Sequence, residues 1–230
     1  MTTARAPRPT LLVLAGVNGA GKSSIAGASL RASGLAYYNP DQATRRLRAD
    51  GMDADAANAA AWAHGRQLLL DAIEHRVAHA FETTLGGNTM PALIRQACES
   101  HDVTLWFVGL DTVERHLARV AHRVRRGGHD IAPGKIRERW DGSRHNLIAL
   151  MPHLYELRVY DNSAEHPRNV AGAQPRLLLH LQRGRIRAPT IKQLALTPDW
   201  AKPIVEAARQ QAPGPRLVRD PGQTRRSGLL

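Results

Sequence analysis

Short apolar runs alternate along the chain with longer segments in which apolar residues recur at helical spacing. The run at 10–17 is apolar almost throughout and predicts a strand that is buried on both faces. Further strands are predicted at 35–41, 77–84, 102–110 and 157–162. Because helical segments separate these strands, we expect an α/β fold in which a parallel sheet is flanked by helices.

The helices between the strands have recognisable ends. The first is expected from Ser24 to about Arg31 and is closed by Gly34. Asp41 is well placed to cap the second helix, which is predicted at 42–48. Later helices are predicted at 54–76, 91–100, 112–126 and 135–149. Beyond Asn162 the alternation weakens, and 176–186 predicts a small hairpin.

These elements predict one domain with short additions. The domain is expected at 10–188, and its basic segment at about 112–149 is expected to form a helical lid. The remaining segments are predicted to be a disordered N-terminus at 1–9, an extension at 189–210 and a flexible tail at 211–230.

The first predicted strand runs directly into the turn Gly16-Val-Asn-Gly-Ala-Gly-Lys-Ser23, and a predicted helix follows. This is the P-loop pattern in its required context, in which backbone N–H groups and the helix N-terminus bind phosphate. We expect Lys22 to reach the β- and γ-phosphates and Ser23 to bind Mg²⁺. The predicted nucleotide contacts are Gly16, Asn18, Gly19, Ala20, Gly21, Lys22, Ser23 and Ser24. The chain is therefore expected to bind ATP with Mg²⁺.

Polar residues follow the other predicted strands, at the sheet edge where sites of open α/β folds lie. Asp41 would face the P-loop from a neighbouring strand end, where it either accepts the proton of a substrate hydroxyl or only caps its helix. Glu82, Thr83 and Thr84 follow the third strand and are predicted to bind substrate. Asn162 follows the fifth strand and either contacts the adenine or ends the strand.

A block of arginines and histidines occupies the predicted lid, where two basic helices are joined by Gly127-Gly128 and Pro133-Gly134. Arginines on such a lid can neutralise charge on a phosphoryl group in transfer. We favour Arg123 and Arg137 for this catalytic role and Arg126 for nucleotide binding.

The formal charge of +12 and the pI of about 11 favour an anionic partner such as a phosphorylated metabolite. Nucleic acid is not the expected partner, because aromatic residues make up only 4% of the chain and no stacking platform is evident. The chain has one cysteine and no apolar run long enough to cross a membrane, so we expect a cytoplasmic protein.

Together these motifs resemble the zeta-toxin family of P-loop kinases. The resemblance rests on the P-loop, Asn39-Pro-Asp41, Phe81-Glu-Thr-Thr-Leu85, Arg123 to His129 with Ile136-Arg137, and Val159 to Ser163. It implies a kinase that phosphorylates the sugar 3′-hydroxyl of UDP-N-acetylglucosamine, with Asp41 as the base. It also implies that Glu82 and Thr83 contact the substrate, and that the protein is a candidate toxin with an antitoxin partner.

One departure weakens the assignment of the sugar nucleotide. The toxins carry a carboxylate early on the helix before the third strand, whereas this region reads His64-Gly-Arg-Gln67 with no acid until Asp71. Two alternatives therefore stay open: a nucleotide or nucleic-acid kinase, and a non-catalytic ATP-dependent binding module.

Overall fold

The computed structural model describes residues 7–22, 35, 37–128, 130–164 and 175–211. Within these residues seven strands form one sheet: Thr10–Ala15 (β1), Tyr37–Tyr38 (β2), His79–Thr83 (β3), Asp102–Gly109 (β4), Glu156–Asp161 (β5), Arg176–Gln182 (β6) and Arg185–Ala188 (β7). The helices are Pro40–Ala49 (α1), Ala54–His75 (α2), Thr89–Ala97 (α3), Val113–Val124 (α4), Pro133–Leu150 (α5), Ile191–Leu194 (α6) and Lys202–Gln211 (α7). The helix predicted at Ser24 to Arg31 and most of the predicted tail lie outside the described residues.

The strand order is β2-β3-β1-β4-β5-β6-β7. The first five strands in this order are parallel, whereas β6 and β7 are antiparallel additions on the β5 edge. The predicted α/β fold is confirmed. The hairpin predicted at 176–186 is present as β6 and β7, and it extends the parallel sheet into a mixed one because β6 pairs antiparallel with β5.

The start of α1 differs from the expectation that Asp41 caps it. Asn39 is the N-cap, and its Oδ1 accepts a hydrogen bond from the Gln42 backbone N–H at 3.1 Å. Pro40 fills the first helical position, where its missing N–H costs no hydrogen bond. Asp41 therefore lies inside the first turn of α1, and its carboxylate is not used as the cap.

The larger core lies on one face of the sheet, beneath α2, α3, α5 and α7. Leu11, Val13 and Phe81 contribute to it from the sheet, while Leu147 and Ile204 contribute from the helices. Alternate residues of β1 are buried on the opposite face of the sheet, which explains why the strand is apolar throughout.

Part of the predicted C-terminal extension belongs to this same core. Ile204, Val205 and Ala208 of α7 are buried there, and the Trp200 indole lies directly against Gly109 of β4. Where the domain ends is still a prediction, as is the movement of the lid. No helix in the described part of the chain is long and apolar enough to cross a bilayer.

Candidate active site

The P-loop is held tightly against the carboxyl ends of the central strands. Gly16 has a φ of +141°, and a Cβ added there would collide with the carbonyl oxygen of Val108 on β4. Its backbone N–H donates to the Thr83 carbonyl oxygen of β3 at 3.2 Å. At Gly21, with a φ of +86°, a Cβ would collide with the Asn162 amide. Glycine is therefore required at both positions, where the loop passes close to the ends of the neighbouring strands.

Lys22 is nearly buried, with 7% of its surface exposed, and its ammonium group lies inside the loop. Its Nζ donates to the Gly16 carbonyl oxygen at 2.7 Å and lies 3.3 Å from Oε1 of Glu82. This arrangement places the predicted phosphate-binding lysine next to the predicted substrate-binding carboxylate. The ion pair links the P-loop to the end of β3.

Glu82 is also almost buried, and donors engage its second oxygen. The Tyr37 hydroxyl donates to Oε2 at 2.7 Å, and Nδ2 of Asn39 donates to the same atom at 2.9 Å. Burial, together with the charge of Glu82, raises the pKa of the Tyr37 hydroxyl, so that it stays protonated and donates. Tyr37 was not among the predicted site residues. The sequence signal for Tyr37 was limited to its position in the predicted short second strand.

Asp41 faces the lid helix α4 across the cleft. Its Oδ2 accepts a hydrogen bond from Nη1 of Arg123 at 3.0 Å, and both side chains are about one third exposed. Arg126 lies further along the same chain segment and lines a separate basic pocket of about 300 Å³ with Arg45, His122 and Arg123. Asp41 borders this pocket as well as the main cleft, whereas Arg126 lies away from the P-loop residues that are described.

Helix α4 contacts the P-loop through residues that sequence reasoning missed. His116 is fully buried, and its Nδ1 lies 2.8 Å from the Asn18 carbonyl oxygen, which can only accept a hydrogen bond. Burial lowers the pKa of His116 to about 4, so the ring is neutral at neutral pH and carries its proton on Nδ1. One turn later, Nη2 of Arg119 donates to the Asn162 carbonyl oxygen at 2.8 Å.

Asn162, the predicted adenine contact or strand end, lies directly beside the P-loop. Its Nδ2 donates to the Ala20 carbonyl oxygen at 2.8 Å. Together with the contact from Arg119, this places the end of β5 and helix α4 on the same side of the loop. Arg119 is therefore the α4 arginine next to the described P-loop residues.

Helix α5 directs Arg139 toward the P-loop and Arg137 away from it. Nη1 of Arg139 donates to Oδ1 of Asn18 at 2.7 Å, whereas Arg137 pairs with Glu114 at the surface with 54% of its side chain exposed. Burial lowers the pKa of the Arg139 guanidinium, and the charge of Asp41 opposes that effect. Sequence reasoning missed Arg139, because the burial of Ile136 and Ser143 that places residue 139 near the inward face is seen only in the fold.

The end of β3 and helix α5 enclose a cleft of about 700 Å³. The predicted residues Asp41, Glu82, Thr83 and Thr84 all line it, as do Asn18 and Arg139. Helix α5 lines this cleft. It is held against the turn after β3, because Nδ2 of Asn146 donates to the carbonyl oxygens of Leu85 and Gly87 at 2.8 and 3.0 Å. Thr83 steadies the same turn by accepting a hydrogen bond from the Leu85 backbone at 3.1 Å.

Helix α2 also lines the cleft and contributes a carboxylate that the sequence argument did not consider. Asp71 forms a helix-surface hydrogen bond with Gln67, whereas Asp55 in the first turn of α2 lines the cleft. An acid is therefore present on the helix before β3, nearer to its start than the segment that was compared.

The predicted metal ligand Ser23 and its neighbour Ser24 lie outside the described residues. In the part of the chain that is described, no three His, Cys, Asp or Glu side chains are close enough together to hold a metal ion. The side chains of Asp41, Glu82 and Thr83 in the cleft present oxygen atoms, the type of ligand that Mg²⁺ prefers.

No family model matches the chain. An uncharacterized protein of Haemophilus influenzae is 36% identical over 70 residues, which is 30% of this chain and 50% of that protein. A chain of the Pnkp1/Rnl/Hen1 RNA repair complex matches with a TM-score of 0.50 and 17% identity, over 64% of this chain and 47% of that chain. This chain thus spans about half the length of both of these proteins.

Two further solved structures share more of the fold. A chain of the AvrRxo1-ORF1:-ORF2 complex with ATP matches with a TM-score of 0.57 and 16% identity, over 88% of this chain and 64% of that chain. A chain of the PezAT chromosomal toxin-antitoxin system of Streptococcus pneumoniae matches with a TM-score of 0.50 and 14% identity, over 69% of this chain and 70% of that chain. The chain therefore shares the α/β fold of these structures.

Proposed function

We propose that this protein is an ATP-dependent kinase that phosphorylates a hydroxyl group of a small metabolite. The observation that carries the proposal is the position of Asp41. Its carboxylate borders the cleft that Glu82 and Asn18 of the P-loop also line, and it lies within hydrogen-bond distance of Arg123. Phosphoryl transfer needs a phosphate cradle, a residue that orients the attacking hydroxyl and positive charge around the moving group.

Each of these three roles has a candidate among the residues of this chain. The P-loop backbone and Lys22 bind the phosphates, and Asp41 accepts or orients the proton of the acceptor hydroxyl. Arg123 contacts Asp41 and Arg139 contacts Asn18 of the P-loop, and we assign both to stabilising the negative charge that develops. Bound Mg²⁺ supplies charge neutralisation on the phosphate oxygens, and we assign Ser23 as its ligand from the P-loop pattern.

The predicted roles of Arg126 and Arg137 have less support from the geometry. Arg137 forms a surface ion pair with Glu114, and Arg126 lines the smaller basic pocket. Arg119 and Arg139 contact the P-loop side of the site instead, through Asn162 and Asn18. We therefore place Arg119 among the nucleotide-binding residues and Arg139 among the catalytic ones.

A nucleotide-sugar, with UDP-N-acetylglucosamine as the first example, is the acceptor that we propose to test first. The resemblance to the zeta toxins motivates it, and the size of the cleft suits a ligand of that class. Asp55 supplies an acid on α2 that reaches the cleft, which removes one objection to this acceptor.

A partner protein is a further part of the proposal. One of the similar structures is the AvrRxo1-ORF1:-ORF2 complex and another belongs to the PezAT toxin-antitoxin system, and this chain shares their fold. An antitoxin-like partner that covers the cleft would abolish transfer without changing the chemistry of the site. Co-expression with the product of the neighbouring gene, followed by size-exclusion chromatography, tests for such a complex.

The test of the kinase is ADP release from Mg-ATP, measured alone, with UDP-N-acetylglucosamine and with a fractionated metabolite extract. Stimulation by the sugar nucleotide supports the full proposal, whereas stimulation by another fraction keeps the kinase and changes the acceptor. ATP binding without phosphorylation of any acceptor would favour the non-catalytic module. Transfer to an oligonucleotide would favour a nucleic-acid kinase. Lys22→Ala serves as the blank for contaminating ATPases.

A further inference from the structure

One face of α2 forms a wall of the cleft that the proposed chemistry does not use. The side chains that line the cleft from this helix are those of Asp55, Asn58, Trp62 and Arg66. Their spacings of three, four and four residues place them on one side of the helix. Trp62 keeps 49% of its surface exposed although it borders a cleft. About half of the surface of this residue is thus available to a ligand.

The backbone that carries Trp62 is fixed against the sheet. The Tyr38 hydroxyl of β2 donates to the Ala61 carbonyl oxygen at 2.5 Å. The Tyr38 ring packs so closely on Gly65 that a Cβ there would lie 2.6 Å from a ring carbon. These contacts lie on either side of Trp62 in sequence, so the indole is presented from a part of the helix that is held in place.

An exposed indole in a polar cleft is suited to one kind of partner. Trp62 differs from Trp200, which is buried in the core, and from Trp106, which packs against Tyr160 and Arg158. Its surroundings in the cleft include the charged side chains of Asp55 and Arg66. Both charged side chains are exposed and can form hydrogen bonds with the polar edges of a planar ring, which a purely apolar ligand does not offer.

The volume of the cleft agrees with a ligand that extends beyond Asp41. About 700 Å³ is within the range of sites for drug-sized ligands, and it exceeds the space that a single hydroxyl-bearing group needs. Asp41 and Trp62 border the same cleft from α1 and α2. The acceptor can therefore present its hydroxyl at Asp41 while another part of it lies on α2.

We propose that Trp62, with Arg66, forms a stacking platform for a planar, nucleobase-like ring of the acceptor. The designation of the ligand as acceptor rests on the proposed kinase function, but the binding platform can be tested without turnover. No sequence pattern indicates this platform, because Trp62 is isolated in an alanine-rich helix and only the folded cleft relates it to Asp41.

The test is equilibrium binding to the full chain with the ATP site filled by a non-hydrolysable ATP analogue. The probes are UMP, CMP, AMP, GMP and nicotinamide mononucleotide, and ribose 5-phosphate is the matched compound without a ring. Calorimetry measures affinity in the wild type, Trp62→Ala and Trp62→Phe. We expect at least one ring-bearing probe to bind about ten- to a hundred-fold tighter than ribose 5-phosphate, which is the scale of stacking on an aromatic side chain.

The variants separate stacking from a general loss of structure. Trp62→Ala is expected to reduce the affinity of that probe to the level of ribose 5-phosphate, while Trp62→Phe retains most of it because a ring remains. Thermal melts confirm that both variants fold. If every ring-bearing probe binds no better than ribose 5-phosphate, or if Trp62→Ala keeps the preference, the platform is overturned.

The same experiment distinguishes failure of the platform from failure of the kinase. Ring-dependent binding that Trp62→Ala abolishes supports the platform even if no phosphate is transferred. Transfer to an acceptor whose KM is unchanged in Trp62→Ala supports the kinase and overturns the platform. Where transfer is seen, we expect Trp62→Ala to raise the KM for a ring-bearing acceptor without changing kcat or the KM for ATP.

Discussion

The P-loop side and the acceptor side of the cleft are built in opposite ways. On the P-loop side the polar groups are buried and paired, as for Lys22 with Glu82 and for His116 with the Asn18 carbonyl oxygen. On the acceptor side, Trp62 and Asp55 of α2 remain exposed within an open cleft. We therefore expect phosphate binding to use a rigid, preorganised backbone and acceptor choice to depend on side chains of a separate helix.

Loss of the P-loop lysine should have the largest effect. Lys22→Ala removes the only cation within the buried pair with Glu82, and we expect transfer to fall about a thousand-fold, as when a preorganised charge is lost from an active site. Affinity for ATP should also weaken, because the lysine binds the phosphates themselves. Rapid-mix transfer assays and calorimetry with ATP measure the two effects.

A double variant controls for instability in that experiment. Lys22→Ala leaves the Glu82 carboxylate buried without its cation, which can destabilise the fold. Lys22→Ala with Glu82→Gln removes both charges and should restore the melting temperature without restoring transfer. Recovery of transfer in the double variant would show that Lys22 acts only through stability.

Arg139 and Arg137, whose side chains leave α5 in different directions, provide the next test. Arg139→Ala should lower kcat about a hundred-fold, because Arg139 donates to Asn18 beside the phosphate site. Arg137→Ala is the matched control on the same helix and should leave kcat unchanged, since Arg137 forms only an exposed ion pair with Glu114. Steady-state kinetics on both variants decide which arginine serves the site, and a reversed order would return Arg137 to the catalytic role.

The smallest expected effect concerns the histidine that joins α4 to the P-loop. The pKa of His116 is lowered from 6.5 to about 4 in the fold, so the unfolded chain binds the extra proton first as the pH falls. Stability due to the neutral ring is complete above about pH 6.5 and is lost between pH 6.5 and about 4. Between pH 7 and 5 we expect the free energy of unfolding to fall by about 2 kcal/mol from this group.

His116→Gln is the comparison for this pH effect. Glutamine keeps a donor for the Asn18 carbonyl oxygen but does not titrate, so the variant should lose less stability than the wild type over the same pH range. Urea unfolding at pH 7 and pH 5 measures both proteins. Equal losses in the two would mean that other groups cause the acid sensitivity.

The sequence predicted the parts of the site that depend on local pattern. The P-loop, the five parallel strands and the residues at their ends follow from apolar runs and their neighbours, and Asp41, Glu82 and Asn162 indeed lie around the loop. Their roles stay predictions until variants are measured.

The remaining contacts depend on which way helices face in the fold. Arg137 and Arg139 are two residues apart and are chemically alike, and only the packing of α5 sends one toward Asn18 and the other toward Glu114. Trp62 likewise comes to line the same cleft as Asp41 only when α2 is packed in the fold. Long-range packing, rather than residue type, separates these side chains.

Single-turnover transfer by Asp41→Asn, with ATP affinity measured on the same sample, tests the central claim most directly. The amide retains the size of the side chain but cannot take the proton of the acceptor hydroxyl. We expect transfer to fall by about a thousand-fold, within the usual contribution of a general base, while ATP affinity stays close to that of the wild type. Transfer at the wild-type rate would contradict the assignment of Asp41 as the base and, with it, the proposed mechanism.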